Sequence, residues 1–559
     1  MKKSSFSADM GAALSSLKKS TAPNHVVIEA LAGTGKTTTL VEGLRQLRGL
    51  TVRIQPSPQQ AAIWCELEKS RGAKDVAFVA FNRSIADELA ERVPPGCEAM
   101  TMHSLGYRAV RKVYPNLNTD KYRVYNLIAR ILGQDLRELR RERLPLLQAT
   151  KELVGKCKMN LTGFIEGKLL DPEDEFWDER LNDLLIHYDL DLEEVNVGEL
   201  LTLTPKVLHA CKDFTADGQV DFDDQIWLPV VLGLPLVKVY DLLLVDEAQD
   251  LNRCQQALAK RAGRRLILCG DPQQAIYGFA GADSESMPRM TEELSLTPQG
   301  CVTLPLTMTR RCGKAIVQEA QVFVPTFTAH ESNPAGQIRR ALYPIQGTRK
   351  ERREIPLEES YQKEVQEGDM LLCRVNAPLV RQCFAFLRRG RRANILGRDV
   401  GTGLVSLVKR LSGWGDTPAQ QEEARSVPIA TFLRDLHDWE HHEISKEQAQ
   451  RNPSESKLVL IADKALCLQC FADQSKTVGE MLDKINAVFT DDPTKPGIRL
   501  SSIHKAKGLE AKRVFLLRPV AEGATIPHPM AKTEWQRKQE YNLLYVAVTR
   551  AIEELVYVD

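Results

Sequence analysis

The sequence has almost no excess of charge of either sign. Its 75 lysine and arginine residues are balanced by 74 aspartate and glutamate residues, so the formal net charge over 559 residues is +1. A polyanion would therefore find no global attraction and would have to bind to a local basic surface. Hydrophobic residues make up 43% and charged residues 27%, which is ordinary globular usage and disfavours a disordered or fibrous chain.

Cysteines are few and scattered. Twelve occur at irregular spacing, which is too sparse for a disulfide scaffold in a chain of this length. We therefore expect a reducing compartment and a cytoplasmic location. Cys467 and Cys470 form a close pair, but no second pair of cysteine or histidine residues lies near them to complete a tetrahedral zinc site, so a metal is disfavoured there.

Long apolar runs and repeats are also missing. Lys2 and Lys3 open the sequence, but no apolar stretch follows them, and no stretch reaches the length of a membrane span. Secretion and membrane insertion are therefore not expected. Dividing the length by about 150 residues per domain gives roughly four compact units.

A phosphate-binding loop is the first strong motif. Residues 25–29 (His-Val-Val-Ile-Glu) predict a short buried strand, and residues 30–37 (Ala-Leu-Ala-Gly-Thr-Gly-Lys-Thr) lead into a predicted helix over 38–47. The spacing is that of G-x-x-x-x-G-K-[ST], with alanine at the first glycine position. In such a loop backbone N–H groups wrap a phosphate, the lysine reaches the β/γ oxygens and the hydroxyl holds Mg²⁺. The sequence therefore predicts ATP and Mg²⁺ as ligands of Ala32, Gly33, Thr34, Gly35, Lys36, Thr37 and Thr38.

Two further buried strands end in polar residues. Residues 239–245 form an apolar run that ends at Asp246 and Glu247, and residues 265–270 precede a polar loop that contains Gln274. Ligands bind at the carboxyl ends of parallel strands. We predict that Asp246 completes the Mg²⁺ shell with Thr37, that Glu247 polarises the attacking water and that Gln274 senses the γ-phosphate. Solvated loops would be the plain interpretation if the phosphate loop were absent.

Six further segments carry motifs: residues 79–84 (Val-Ala-Phe-Asn-Arg-Ser), 101–104 (Thr-Met-His-Ser), 221–224 (Asp-Phe-Asp-Asp), 306–312 (Leu-Thr-Met-Thr-Arg-Arg-Cys), 503–510 (Ile-His-Lys-Ala-Lys-Gly-Leu-Glu) and 540–550 (Glu-Tyr-Asn-Leu-Leu-Tyr-Val-Ala-Val-Thr-Arg). Together with the motifs above, these segments resemble in order and wording the superfamily 1 DNA helicases of the UvrD/Rep type. Residues 80–89 also resemble the F-box DNA helicases and phage relatives, although no F-box segment is evident.

The resemblance implies an α/β fold with two RecA-like P-loop motor domains, which are parallel sheets flanked by helices, each with a mainly helical insertion. The implied boundaries are 1–106 and 207–300 for the first motor domain with the ATP site, 107–206 for its insertion, 301–398 and 492–559 for the second motor domain, and 399–491 for a short second insertion. Apolar spacing predicts helices over 122–132 and 136–154. No further domain is expected after residue 554, which argues against a fused nuclease.

The resemblance also assigns residues to ATP and DNA. Arg311 and Arg550 are implied to be arginine fingers, Glu510 to touch the ribose, and Arg310 to stand where a tyrosine usually packs on the base. A guanidinium can also stack on an aromatic face. Single-stranded DNA is expected to stack on aromatic rings and to bind polar side chains; the candidates are Phe81, Asn82, Thr101, His103, Tyr277, Phe279 and His504.

Some features depart from the family pattern or stay open. Residues 1–35 contain no glutamine, whereas the family usually reads adenine with one upstream of the phosphate loop. The similar wording at residues 57–60 (Ser-Pro-Gln-Gln) lies after the loop, so adenine selectivity stays open. The arginine-rich runs over 137–143 and 381–398 fit either a nucleic-acid contact or a solvated surface.

The predicted function is an ATP-dependent DNA helicase or translocase that moves on single-stranded DNA. The resemblance suggests 3′-to-5′ movement, contact with duplex junctions and a role in replication, repair or recombination. Two alternatives stay open: an ATP-driven remodeller on DNA, and a motor subunit that needs a protein partner such as a nuclease or a replication factor.

Overall fold

The computed structural model describes residues 22–559 except 189, 191, 193–194, 215–217, 277–285, 348–351, 416, 450–454, 493, 529–530 and 532–533. The chain divides into two compact units, Met1–Thr307 and Met308–Asp559.

The first unit is built on a six-stranded sheet in which every pairing is parallel. The sheet order is β10-β1-β9-β8-β2-β3, with Val26 opposite Ile267 and Val76 opposite Leu242. The strands of this unit, including four short ones outside the sheet, are β1 (His25–Ala30), β2 (Val76–Ala80), β3 (Cys97–Thr101), β4 (Asn118–Thr119), β5 (Phe164–Ile165), β6 (Lys168–Leu169), β7 (Gln219–Val220), β8 (Leu242–Val245), β9 (Leu266–Gly270) and β10 (Cys301–Leu306).

Both faces of this sheet are buried, which explains why its strands are apolar without alternation. In β8, Leu242 and Leu244 pack into one hydrophobic cluster, while Leu243 and Val245 pack into another. The parallel arrangement brings the carboxyl ends of β1, β9 and β8 side by side, and those of β2 and β3 next to them.

Helices cover this sheet and form the segment between β4 and β7. They are α1 (Lys36–Leu47), α2 (Pro58–Glu68), α3 (Arg83–Arg92), α4 (Met102–Val113), α5 (Arg123–Leu132), α6 (Leu136–Glu142), α7 (Leu144–Asn160), α8 (Phe176–Tyr188), α9 (Val197–Lys212), α10 (Asp224–Val231), α11 (Arg253–Ala262) and α12 (Ser286–Ser295).

The prediction of one continuous helix over 136–154 is wrong. The structure has two helices here, α6 and α7, because Arg143 leaves the helical conformation and Pro145 lies in the first turn of α7. Proline is tolerated in a first turn, where its missing N–H costs no intrahelical bond. The helices of this segment share their hydrophobic cluster with one face of the sheet: Leu127, Leu146 and Leu203 belong to the same cluster as Val27 and Val79.

The second unit repeats the architecture with a seven-stranded parallel sheet of order β13-β21-β20-β16-β19-β17-β18. The strands of this unit, including four short ones outside the sheet, are β11 (Met308–Thr309), β12 (Thr328–Ala329), β13 (Gln337–Ala341), β14 (Ile345–Gly347), β15 (Arg352–Glu354), β16 (Met370–Cys373), β17 (Ala393–Leu396), β18 (Phe489–Thr490), β19 (Ile498–Ser502), β20 (Ala511–Leu517) and β21 (Ala551–Val558). Its helices are α13 (Lys314–Ala320), α14 (Ala377–Leu387), α15 (Arg398–Leu411), α16 (Pro418–Ser426), α17 (Ile429–Gln448), α18 (Glu455–Ala472), α19 (Val478–Val488) and α20 (Glu534–Val548). The predicted fold class, two parallel α/β units flanked by helices, is confirmed.

One predicted boundary differs from the structure. The sequence placed residues from 301 onward in the second motor domain, but β10 pairs with β1 along its whole length and so belongs to the first sheet. The first unit accordingly extends to Thr307. Within the described part of the chain, every helix falls short of the length and apolar character that a bilayer crossing needs. All twelve cysteines are free thiols.

Candidate functional site

The phosphate loop joins β1 to α1 with two glycines in the left-handed region. Gly33 has φ 65° and Gly35 has φ 78°, a conformation that favours glycine. Gly35 is also the N-cap of α1, so no side chain covers the first N–H groups of this helix. Those N–H groups and the positive end of the helix dipole suit a phosphate. Thr34 closes the loop by donating its hydroxyl to the Leu31 carbonyl at 2.9 Å.

Two departures from the family pattern lie near this loop: alanine at the first glycine position, and glutamines that follow the loop instead of preceding it. Ala30 is the last residue of β1, and extended backbone does not need glycine. Gln60 donates to the Thr39 hydroxyl at 2.9 Å and closes the capping box of α2 with Ser57. Gln59 is also engaged, because its side chain donates to the Thr307 hydroxyl at 3.0 Å and accepts from the Thr307 N–H at 2.9 Å. These two glutamines hold α2 in place.

The predicted ATP residues at the start of α1 and directly after β8 lie within hydrogen-bond distance of each other. Thr37 donates its hydroxyl to Asp246 Oδ2 at 2.7 Å, and Lys36 Nζ lies 3.4 Å from the Glu247 carboxylate. The side chains of Lys36 and Glu247 are 12% and 28% exposed, so a ligand can reach this pair. Thr38 follows in the first turn of α1 and is half-buried, while Ala32 is buried in the loop.

Glu247 has a left-handed backbone, with φ 52° and ψ 42°. This conformation costs a non-glycine residue about 1 kcal/mol or more and persists where the surroundings enforce it. Here the Glu247 N–H donates to Asp246 Oδ1 at 3.0 Å, and the Asp250 N–H donates to the Glu247 carbonyl at 3.0 Å. The turn therefore fixes the direction of both carboxylates.

The charges of this site depend on one another. Burial raises the pKa of Asp246 to about 6; the negative charge of Glu247 adds to that rise, and Lys36 opposes it. Burial by itself lowers the pKa of Lys36, but three carboxylates, Glu247 foremost, outweigh it and the net shift is upward. The lysine is thus a fixed positive charge, while the carboxylate beside Thr37 lacks a full counter-charge. A divalent cation would supply it.

Gln249 links the carboxylates to the end of β9, a role that the sequence reasoning missed. Its side-chain N–H₂ donates to Glu247 Oε2 at 2.6 Å, and its Oε1 accepts from the Asp271 N–H at 3.0 Å. Gln274, the predicted γ-phosphate sensor, is buried and donates to Asp271 Oδ2 at 2.7 Å. Three adjacent strand ends are therefore joined by hydrogen bonds. The signal available in the sequence was a polar residue inside the acidic run 246–250.

The next two strand ends carry the predicted DNA residues, and there the polar side chains cap helices. Asn82 Oδ1 accepts from the Ile85 N–H at 2.9 Å at the start of α3, and Thr101 Oγ1 accepts from the Ser104 N–H at 3.2 Å at the start of α4. Phe81, directly after β2, is 50% exposed. An exposed aromatic ring thus lies beside two capped helix starts.

A second aromatic surface lies on α4. The His103 ring stacks on Phe222 with centroids 3.9 Å apart and planes 23° apart, and Phe222 is 58% exposed. Burial lowers the pKa of His103 to about 4, so the imidazole is neutral at pH 7. The sequence reasoning did not select Phe222, although it lies within the quoted segment 221–224.

The motif residues of the second unit also meet. Arg311 forms an ion pair with Glu510 through its Nε. Arg550 is buried and donates to the Leu509 carbonyl at 3.1 Å and to the Val546 carbonyl at 2.9 Å. Three separate segments therefore come together at one place in this unit.

Other predicted residues are placed as follows. Arg310 is exposed. His504 is half-buried, and burial with the nearby cations Arg374 and Lys505 lowers its pKa to about 3. Tyr277 and Phe279 lie outside the described residues.

The two arginine-rich runs are partly used for packing. Arg389 donates to the Gln362 side chain at 2.8 Å, and Arg391 lies over the Phe386 ring at 5.3 Å. In the other run, Arg143 forms an ion pair with Glu199. These three arginines have partners within their own unit.

The first unit is therefore a P-loop nucleotide-binding domain, with aromatic surfaces beside the nucleotide edge of its sheet. The family model of the UvrD/REP helicase N-terminal domain matches residues 15–295, which is half of the chain, and that of the UvrD-like helicase C-terminal domain matches residues 497–558. The chain belongs to the UvrD/REP helicase family, as its sequence resemblance predicted.

Curated relatives agree with this assignment at low identity. The chain is 22% identical over 563 residues to F-box DNA helicase protein 1 of Schizosaccharomyces pombe, covering 96% of this chain and 56% of that protein. It is 22% identical over 549 residues to F-box DNA helicase 1 of Gallus gallus, covering 94% and 46%. It is 25% identical over 342 residues to ATP-dependent DNA helicase UvrD2 of Mycobacterium bovis, covering 56% and 46%. The chain thus spans about half the length of these curated relatives.

Proposed function

We propose that this chain hydrolyses ATP with Mg²⁺ to move along single-stranded DNA, in the 3′-to-5′ direction, and that it unwinds duplex DNA at junctions. The observation that carries the proposal is the Lys36, Thr37, Asp246 and Glu247 constellation at one sheet edge, next to exposed rings at the neighbouring strand ends. Family membership supports the same activity, and the relatives' names specify DNA.

The residues fit the ligands that this activity needs. Thr37 and Asp246 offer a hydroxyl and a carboxylate oxygen, which are the hard ligands that Mg²⁺ takes, and the carboxylate lacks a full counter-charge. When bound, the ion would neutralise phosphate charge. Lys36 and the N–H groups at the start of α1 would bind the phosphates. Glu247, held by Gln249 and by its own turn, would orient water and accept its proton.

The rings are suited to a strand of unspecified sequence. Stacking on aromatic faces contributes about 1–3 kcal/mol per base and tolerates any base. Phe81 and the His103–Phe222 pair offer such faces at the ends of β2 and β3 and at the turn before α10. Asn82 and Thr101 fix the two helix starts by accepting from the Ile85 and Ser104 N–H groups.

The test is steady-state ATP hydrolysis with and without single-stranded DNA, with Lys36→Ala as the control for contaminating activity. We expect strong stimulation by DNA that the substitution abolishes. Absence of hydrolysis under every DNA condition would overturn the proposal.

Tailed duplexes then separate the remaining possibilities. Displacement from a 3′-tailed but not a 5′-tailed duplex is expected. DNA-stimulated hydrolysis with removal of a bound protein block from single strands, but no strand displacement, would support a remodeller. Displacement that appears only with a nuclease or a replication factor would support a motor subunit.

A further inference from the structure

The loop that carries Phe222 is closed by its two flanking carboxylates. Asp221 Oδ1 accepts from the Asp224 N–H at 2.7 Å, and Asp224 Oδ2 accepts from the Asp221 N–H at 2.9 Å. The two bonds form a reciprocal box across four residues, from the end of β7 to the start of α10. Phe222 lies between the two bonded residues, and its side chain is exposed.

Two buried cations from the helical segment hold this box. Lys158 of α7 reaches Asp224 Oδ1 at 2.7 Å and Asp221 Oδ2 at 2.5 Å. Arg123 of α5 reaches Asp224 Oδ2 at 2.6 Å and also donates to the Cys211 carbonyl at 3.1 Å. We name Arg123, Lys158, Asp221 and Asp224 the ion cluster.

The ion cluster is buried, and Asp221, with a side chain that is 12% exposed, is its most exposed member. The side chains of Arg123 and Asp224 are 0% exposed and that of Lys158 is 1% exposed. Buried ion pairs contribute little net stability compared with apolar residues of similar volume, because both charges must be desolvated. Their geometry is nevertheless strict, since a displaced partner leaves a buried charge. Such a cluster therefore serves to fix a position better than to stabilise a fold.

The partner ring is fixed by a second device. Gly106 lies one turn after His103 in α4, and a Cβ at this position would stand 2.2 Å from the Gln225 carbonyl oxygen. The glycine therefore allows the backbone of α4 to touch the first turn of α10. This contact brings His103 to Phe222 at stacking distance.

We propose that Lys158 and Arg123 are positioning residues for DNA: from the helical segment they hold the Asp221–Asp224 box, and through it the Phe222 ring on His103, in the orientation that stacks a base. The inference rests on the proposed function, because it takes Phe222 as a surface for DNA. It adds that the helical segment affects the affinity for a single strand through a buried contact rather than through direct contact with the strand.

The test is a double-mutant cycle on DNA affinity. Lys158→Met together with Asp221→Asn removes one cation and one anion, so the interior keeps its charge balance and the Arg123–Asp224 pair stays. Each of the two changes keeps the side-chain size. This double variant is combined with Phe222→Ala, and the dissociation constant for fluorescein-labelled oligo(dT) is measured by anisotropy. Lys260→Met with Glu293→Gln, a charge-balanced change at an exposed ion pair of the same unit, is the matched control.

We expect Phe222→Ala to raise the dissociation constant about tenfold and the Lys158–Asp221 double variant to raise it about fivefold. In the Phe222→Ala background the double variant should have almost no further effect, because the ring that it positions is gone. The KM for ATP without DNA should be unchanged, and the control pair should bind DNA normally. Lys158→Arg serves as a second variant if the double variant does not fold, and it should show the same dependence on Phe222.

Each result distinguishes the two claims. An equal loss of affinity in the wild-type and Phe222→Ala backgrounds, or no loss in the wild-type background, would overturn the positioning role while base stacking on Phe222 stands. Unchanged affinity of Phe222→Ala itself would overturn the stacking surface, and the positioning role with it.

Discussion

One edge of the first sheet contains two regions that use the same strand geometry in opposite ways. At the ends of β1, β9 and β8, polar side chains bond one another, Thr37 to Asp246 and Gln249 to Glu247, and Gln249 also accepts from the Asp271 backbone N–H. At the ends of β2 and β3, polar side chains cap their own helices, and the rings of Phe81 and, on the turn beside α4, Phe222 are exposed.

The two regions differ in chemistry because they suit two different kinds of ligand. A triphosphate and its metal need several charges at fixed distances, so cross-strand hydrogen bonds set the geometry in advance. A DNA strand that must slip past needs contacts that any base can make, and an aromatic face makes them. Five predictions test this contrast.

Glu247→Gln should lower the DNA-stimulated turnover of ATP about 100-fold or more, while ATP still binds. The amide keeps the size of the side chain but cannot accept a proton from water. Turnover at saturating DNA and ATP binding by equilibrium titration are the measurements. The exposed Glu292→Gln is the control and should turn over normally. Near-normal turnover of Glu247→Gln would remove the carboxylate's assigned role and with it the contrast.

Gly106→Ala should lower the free energy of unfolding by about 2 kcal/mol or more, because its methyl group would meet the backbone of α10 rather than a movable side chain. Urea titration measures this change. The matched control is Gly403→Ala in α15, where a Cβ meets nothing within 4 Å; it should stabilise by about 0.5–1 kcal/mol. Equal effects of the two variants would show that α4 and α10 do not need their close approach.

Phe81→Ala should raise the dissociation constant for single-stranded DNA about tenfold and leave the KM for ATP unchanged, since one stacking surface is lost and the nucleotide edge is intact. Anisotropy with labelled oligo(dT) measures the first quantity. Phe176→Ala removes a ring of similar exposure, 52% against 50%, from α8 and should bind DNA normally. If Phe81→Ala changes the KM for ATP as strongly as the DNA affinity, the two regions are not separate.

The smallest expected effect is on pH dependence. Burial lowers the pKa of His103 to about 4, whereas an unfolded chain has a value near 6.5. Between these two values the unfolded state binds more protons, so the stability that His103 contributes is complete above about pH 6.5 and decreases as the pH falls toward about 4. The free energy of unfolding, measured by urea titration, should therefore depend more steeply on pH over this range in the wild type than in His103→Gln.

The same lowered pKa predicts that DNA affinity does not rise on mild acidification through His103. The ring stays neutral from about pH 8 to about pH 6, so it acts as a face and not as a cation. Affinity that increases over this range in the wild type but not in His103→Gln would show an imidazolium contact with phosphate instead.

The sequence predicted which residues meet at the ends of β1 and β8 because its signals there are local. The loop over 30–37 and the apolar run before Asp246 each carry their own spacing, and parallel strands bring their ends together. It also predicted both α/β units. It did not predict that Asn82 and Thr101 would be helix caps, because the partner of a short polar side chain depends on whether the chain turns into a helix directly after it.

Contacts between residues that are far apart in the sequence could not be predicted. Lys158 and Asp221 are 63 residues apart, and nothing in the local pattern of either residue identifies the other. In the sequence, the acidic segment 221–224 is evident only as part of a family motif. In the structure, two of its carboxylates are buried and its ring is exposed. Predicting this arrangement requires knowing which helices pack behind the segment.

The hydrophobic cluster that joins the helices between β4 and β7 to the sheet has a consequence for experiments that shorten the chain. Leu127, Leu146 and Leu203 lie in one cluster with Val27 and Val79, so the helical segment closes one face of the sheet as well as forming a lobe of its own. Deleting it would expose the apolar residues of β1 and β2 to water, and replacing it with a relative's segment would require those residues to be exchanged together. A minimal motor domain from this protein must keep both parts.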